Sequence, residues 1–504
     1  MKIWRIGLIN NIWGVLTALL FLIICGEAII LTRQLSLYLS LDKIARIEQA
    51  APILAKPRLS YRRIADDAVV FSQHDEVDRT KEKMIREKEN FIFADLERMK
   101  LSVFQEGILM KEVSVQGKGK EGTFFETPNG LYKVRSKEEN HFSTIGHVWM
   151  PWSIHFYGNY FIHGWPSYRD GTPVAETFSG GCIRISSRDA KEVFRFARRG
   201  MPVLIQSGSI LSENAHATST YFQRVDRTRM QERSPLLSGG AALAVDFDTG
   251  EILFAKNKTT PYPIASITKL MTGLVAIETI NRFRHLTVSG KDSTFPDAPT
   301  SLEGETFQSQ DFLYPLLLGS RNDVAELYRR TAGGFVETMN QKARGIGMTN
   351  TYFADASGAS VENVADAEDL FRLLQYIARY KQPVFAVSGV SKKTIRSLSS
   401  KKSYIWENTT WPFDDGIFLG GHAGLTSTGK ETIAGVLRVR FGEQDERKIA
   451  IIVLDSFDRI DDVRALIAYL EEEFVYGTVF TQKGIFPTEI RTGASLFHAL
   501  PKWR

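Results

Sequence analysis

A chain of 504 residues exceeds one ordinary domain and suits two joined by linkers. A hydrophobic share of 43% and a charged share of 24% belong to a folded chain, and exclude both wholesale disorder and a polytopic membrane protein. The net charge is only +5, with no concentrated basic stripe to serve a nucleic acid, and two cysteines cannot build a disulfide scaffold or a four-cysteine zinc site.

In chain order, Ile6 to Leu31 is almost wholly apolar. About 26 helical residues at about 1.5 Å each reach roughly 39 Å, enough to cross a bilayer with some tilt. Lys2 and Arg5 precede this run, as in a signal peptide, but no small-x-small cleavage site follows it. The expected reading is an uncleaved anchor over residues 1–32, with a cleaved signal peptide as the alternative. Residues 33–89 are charge-rich, and Glu76 to Glu89 reads as a solvated helix or stalk.

From residue 90 to 206 the texture is that of strands. Ile92 to Phe104 and Ile108 to Val115 alternate apolar and polar residues across a Gln105-Glu106-Gly107 turn, and Ser187 to Arg199 reads as a helix. Residues 207–238 are polar and irregular, a linker of about 32 residues that would span roughly 30 Å as a flexible coil. A second domain, 239–480, opens with strands at Leu243-Ala244-Val245 and Ile252-Leu253-Phe254 around an Asp248-Thr249-Gly250 turn. Residues 481–504 form a tail.

The first domain holds Cys182 in Ser179-Gly180-Gly181-Cys182-Ile183-Arg184. Glycines let the backbone approach a substrate carbonyl, so the N–H groups of Gly181 and Cys182 are candidates for an oxyanion hole. His163, at the end of the alternating stretch Ile154 to Ile162, is a candidate base for the thiol. Two other readings stand beside this one. Cys182 would be an inert core thiol in the first; in the second, His155 and His163, eight apart on one strand face, would hold zinc with Cys182. The ordered set Glu126-Thr127-Pro128-Asn129-Gly130, His163-Gly164 and Gly-Gly-Cys-Ile-Arg resembles the L,D-transpeptidase catalytic domain over about residues 90–206. That resemblance implies a β-rich fold and a Cys182 nucleophile with His163 as base. It places Arg184 just beyond the cysteine loop as a substrate-binding residue. The family usually has Ser-His-Gly-Cys, and Gly180 replaces its histidine.

Ser-x-x-Lys occurs at Ser40, Ser266, Ser399 and Ser427, so the bare pattern selects nothing. Ser266-Ile267-Thr268-Lys269 alone follows a proline and opens an apolar run, where helical spacing brings Lys269 onto the face of Ser266. Ser320-Arg321-Asn322 follows downstream. These pieces resemble the penicillin-recognising D-alanyl-D-alanine carboxypeptidases. The resemblance implies an α/β (α+β), β-lactamase-like fold with a Ser266 acyl-enzyme, Lys269 as base, Ser320 as proton relay and Asn322 holding the substrate amide. Gly421-His422-Ala423-Gly424 stands where Lys-Thr-Gly is expected. His422 and Gly424 would then bind substrate, and the N–H groups of Ser266 and Leu425 would form the oxyanion hole. His422 is a weaker carboxylate partner than lysine at neutral pH.

The two resemblances imply a multidomain, membrane-anchored bacterial enzyme of peptidoglycan, with its catalytic domains outside the cytoplasmic membrane. Stem peptides are the expected substrates and β-lactams the expected covalent inhibitors. No cofactor, metal or nucleic acid is expected. A carboxypeptidase makes tetrapeptide stems, and these are the acyl donors of an L,D-transpeptidase. The departures at Gly180, His422 and Ala423 motivate the competing reading of a wall-binding or β-lactam-sensing protein with one or both heads inactive; a β-lactamase is a third reading for the second head.

Overall fold

The computed structural model describes residues 60–63, 73–175, 179–206, 220–226, 234–292, 302–413, 415–442 and 445–478. The expected anchor and the tail after 480 lie outside these residues. Among the described residues no helix is long and apolar enough to cross a membrane.

Helix α1 (Gln73–Arg86) is not a free stalk, because Val77 and Met84, seven apart on one stripe, pack on Phe91, Phe93, Phe104 and Leu204. The strands that follow are β1 (Phe91–Asp95), β2 (Lys100–Gln105), β3 (Ile108–Gly117), β4 (Gly130–Lys133), β5 (Ser136–Ser143), β6 (Val148–Tyr157), β7 (Tyr160–His163) and β8 (Ile183–Ile185). Then come α2 (Ser187–Phe196) and β9 (Pro202–Gln206). They form one nine-stranded sheet in the order β4-β9-β1-β2-β3-β8-β7-β6-β5. The alternating run Ile92 to Phe104 is therefore two strands. Asp95 Oδ1 accepts the Arg98 N–H at 2.9 Å and Met99 sits at φ 54°, a turn that side-chain alternation cannot reveal. The expected hairpin turn at Glu106-Gly107 is present, with Gln105 opposite Ile108. Helix α2 starts where Ser186 Oγ accepts the Asp189 N–H at 3.1 Å, an N-cap that satisfies an otherwise orphan donor.

The stretch read as linker contains a strand, β10 (Thr220–Asp226), which pairs antiparallel with the last described strand. Phe222 is the reason: its ring is buried against Phe441 and Phe474. The second domain contains β11 (Ala241–Asp246), β12 (Ile252–Lys256), α3 (Thr268–Thr279), α4 (Asn322–Thr331), α5 (Phe335–Gly345) and α6 (Ala367–Tyr380). After these come β13 (Phe418–Leu425), β14 (Glu431–Phe441), β15 (Asp445–Ser456), α7 (Arg459–Glu473) and β16 (Phe474–Thr478). Its main sheet is antiparallel in the order β12-β11-β15-β14-β13. Leu243, Val245, Ala450 and Ile452 face the helical layer, and Ala244, Ile451 and Val453 face α7 on the other side.

The two domains meet across a buried polar cluster. Glu278, near the end of α3, pairs with Lys342 at 2.9 Å and Lys381 at 3.6 Å, all three side chains being fully buried. Lys342 donates to the hydroxyls of Tyr132 at 2.8 Å and Tyr376 at 2.9 Å, and Lys381 donates to the Glu126 carbonyl. Burial lowers Lys342 to about 8 against the pull of Glu278. Backbones touch as well: a Cβ at Gly130 would lie 2.2 Å from the Gly345 carbonyl oxygen.

Candidate active sites

Parallel pairing of β7 with β8 sets the first site, with Ile162 opposite Ile183 and His163 opposite Arg184. Cys182 thus stands next to the strand that carries His163. The loop before it turns at Gly181, φ 111°, where a Cβ would sit 2.2 Å from the Tyr160 ring. Ser179 Oγ accepts the Gly181 N–H at 3.0 Å and donates to the Cys182 carbonyl. At Gly180 an added Cβ meets nothing within 4 Å, so a side chain can leave the backbone there without a clash.

The thiol and imidazole are uncharged. Burial pushes the Cys182 thiol up to about 11 and holds His163 down at about 4. The thiol faces the Asn159 carbonyl at 3.7 Å, and His163 Nδ1 lies 2.6 Å from the Gly164 carbonyl oxygen. None of the described hydrogen bonds joins Cys182 to His163. Arg184 is buried, with its guanidinium 5.6 Å from the centre of the Trp165 ring. His155 does not share a continuous strand with His163, because the chain reverses at Gly158-Asn159, and its Nε2 lies 2.8 Å from the Gly158 carbonyl oxygen. Among the described residues no group of three His, Cys, Asp or Glu side chains is placed to hold a metal ion.

In the second site Ser266 lies in a 3-10 turn, Ala265–Ile267, that leads directly into α3. Lys269 Nζ donates to Ser266 Oγ at 2.8 Å and to the Ser357 carbonyl at 2.7 Å. Full burial lowers this lysine to about 7, while Asp355 and Asp323 oppose the shift. A lysine that is half neutral at neutral pH and already bonded to a hydroxyl can remove its proton. Strain surrounds the serine: Ala265 has φ 46°, and a Cβ at Gly358 would lie 1.9 Å from the Ala265 carbonyl oxygen. Spacing along the chain carried no sign that Ser357 and Gly358 pack beside this serine; Asp355 Oδ1 holds their loop by accepting the N–H groups of Ser357 at 2.7 Å and Gly358 at 2.6 Å.

Ser320 has φ 49° in the turn before α4, and Asn322 is the first residue of that helix. None of the described hydrogen bonds links either to Ser266 or Lys269. Strand β13 runs beside the serine, since a Cβ at Gly424 would lie 2.5 Å from the Ser266 nitrogen. Leu425 is exposed next to it and Ala423 is buried. His422 is fully buried, and desolvation with the nearby Lys269 charge lowers it to about 3. It is therefore a neutral side chain, whose Nδ1 accepts the Ala423 N–H at 2.8 Å, and not a standing cation for a carboxylate.

Residues 89–205 match the family model of the L,D-transpeptidase catalytic domain, and residues 228–458 that of D-alanyl-D-alanine carboxypeptidase. The chain carries one domain of each kind. The carboxypeptidase-type domain is similar to a D-alanyl-D-alanine endopeptidase of Pseudomonas aeruginosa, 29% identical over 231 residues, which covers 44% of this chain and 73% of the relative. It is also similar to the D-alanyl-D-alanine carboxypeptidase DacF of Bacillus subtilis, 27% identical over 222 residues, covering 40% of this chain and 57% of the relative. Among solved structures, a D-alanyl-D-alanine carboxypeptidase of Mycobacterium tuberculosis aligns at TM-score 0.42 and 19% identity, over 50% of this chain and 98% of that one.

Proposed function

We infer that the protein is a bifunctional peptidoglycan enzyme. Ser266 attacks the carbonyl of the penultimate D-alanine of a stem pentapeptide, and Lys269 takes the hydroxyl proton and returns it to the departing D-alanine. Water then releases the tetrapeptide. The N–H groups of Ser266 and Leu425 hold the oxyanion, Asn322 and Gly424 bind the peptide, Ser320 relays a proton, and His422 serves as an uncharged hydrogen-bonding wall. The observation that carries this reading is the Lys269–Ser266 hydrogen bond on a lysine lowered to about 7. An internal D-alanyl bond would be a further substrate for the same chemistry, since the Pseudomonas relative is named a D-alanyl-D-alanine endopeptidase.

In the first head Cys182 would attack the carbonyl that precedes the terminal D-alanine of a tetrapeptide stem, releasing that D-alanine and leaving the remaining tripeptide as a thioester. An amine of a second stem would then take up the acyl group and free the thiol. The N–H groups of Gly181 and Cys182 would be the oxyanion donors, with Arg184 as a substrate-binding residue. Because thiol and imidazole are both neutral, the proton would pass to His163 only as the thiol attacks. The competing reading, a ligand-binding or β-lactam-sensing first head without turnover, is favoured by the missing Cys182–His163 hydrogen bond. The apolar run of residues 6–31 supports a membrane-anchored, extracytoplasmic protein. Labelling with benzylpenicillin tests the second head: the adduct is expected on Ser266 by peptide mass and absent in Ser266→Ala. A chain that takes no label, or takes it elsewhere, would refute this site.

A further inference from the structure

The turn between β6 and β7 faces both domains. The Asn159 carbonyl accepts the Cys182 thiol, while Asn159 Nδ2 donates at 2.6 Å to the carbonyl of Thr279, the last residue of α3. Beside this contact a groove of about 600 Å³ opens between the domains, with Asn159 and Thr279 both in its wall. That volume falls within the roughly 300–1,000 Å³ of pockets that take small ligands.

The lining has a definite chemistry. It includes Arg135 from the first domain and Arg284 from the second, and no acidic residue. Arg135 is held in place, its Nη2 donating to Gln341 Oε1 at 2.6 Å. Asn159 and Asn281 add amide groups, and the exposed ring of Phe283 forms part of the wall. Two cations with no anion among them, accompanied by amides, complement a peptide that carries carboxylates; they do not complement a cation.

We propose that this groove binds the carboxylate-bearing end of a peptidoglycan stem peptide, with Arg284 and Arg135 holding its carboxylates. The proposal rests on the stem-peptide reading given above. It brings the carboxypeptidase-type domain to within one residue of the other head, because Asn159 both lines the groove and accepts the Cys182 thiol, while Cys182 itself lies outside the groove wall. The tetrapeptide left by removal of D-alanine ends in a free carboxylate, which is the group the arginines suit.

The test uses the full chain with Cys182→Ala and Ser266→Ala, so that neither chemistry is needed for a result. A soluble disaccharide tetrapeptide is titrated by calorimetry at low and high salt. Binding is expected, weaker at high salt. It should weaken at least about tenfold when Arg284→Gln is added, with partial recovery in Arg284→Lys. A peptide whose carboxylates are amidated should lose affinity to the same extent. No binding, an affinity indifferent to Arg284→Gln, or equal affinity for the amidated peptide would each overturn the proposal. Failure of the enzymatic reading would instead appear in the product assay of the unmutated chain, so the two failures are distinguishable.

Discussion

At the scale of single residues, the Ser266–Lys269 contact was legible once its context had selected it, whereas the charge states of the site residues were not. Ser266 and Lys269 are three apart at a helix start, which is enough to predict their contact. Burial, which brings Lys269 to about 7 beside the Ser357 carbonyl, and the Asp355 charge that opposes it, come from residues distant in sequence. The sign of the pH effect follows: above pH 7 the lysine is mostly neutral and able to accept a proton. Penicillin acylation of Ser266 should therefore rise through about pH 7 to a plateau, and Lys269→Ala should lower it by about 10²–10⁴. A flat profile in the unmutated chain would contradict that role. The sequence likewise offered His422 as a weak cation, and burial makes it neutral. Its lowered pKa means that the unfolded chain binds a proton the folded chain refuses between about pH 6.5 and 3. Stability should fall as pH drops through that window, by about 1.4 kcal/mol per unit for this one group. His422→Gln should flatten the fall in urea titrations, and an unchanged slope would show that the imidazole does not titrate this way. Gly180→His should leave stability unchanged, because a Cβ at this position meets no neighbour. If the missing histidine contributes to turnover, the same variant should speed Cys182-dependent transfer; a large loss of stability would contradict the open surroundings.

At the scale of elements, hairpins with a Gly-marked turn were legible, and so was the Ser186-capped helix. Turns made by ordinary residues were not: Asp95 and Met99 break a run whose alternation continues across the break. The helix at Gln73–Arg86 looked solvated because its charged residues outnumber Val77, Met84 and Ile85, which dock it. Strand β10 was hidden in a polar stretch, since Phe222 finds its partners far along the chain. The interdomain cluster was equally invisible, because Glu278, Lys342 and Lys381 are ordinary charged residues until α3 and the tyrosines of the first domain enclose them. Removing one partner from such a cluster leaves buried charge uncompensated, at a cost of about 3–5 kcal/mol. Glu278→Gln should therefore lower the urea midpoint, and both domains should unfold together in one transition. Separate transitions, with only one of them moved, would mean that the domains are not coupled through this cluster.

At the scale of the whole molecule, a flexible tether is not what holds the heads together, since the domains dock through buried side chains and touching backbones. Helix α3 spans the second domain from the Ser266 end to the Glu278–Thr279 contact, about 18 Å at 1.5 Å per residue. On the proposed function, two domains held in fixed proximity would suit consecutive reactions on one stem, D-alanine release supplying the donor for cross-linking. The measurement that tests this most directly is mass analysis of the products formed from pentapeptide muropeptides by the full chain and by its Cys182→Ala and Ser266→Ala variants. The unmutated chain should give tetrapeptides and 3–3 cross-linked dimers. Cys182→Ala should stop at tetrapeptides, and Ser266→Ala should give neither product from pentapeptide yet form dimers when tetrapeptide is supplied. Dimers that persist in Cys182→Ala, or release of D-alanine that persists in Ser266→Ala, would contradict the account.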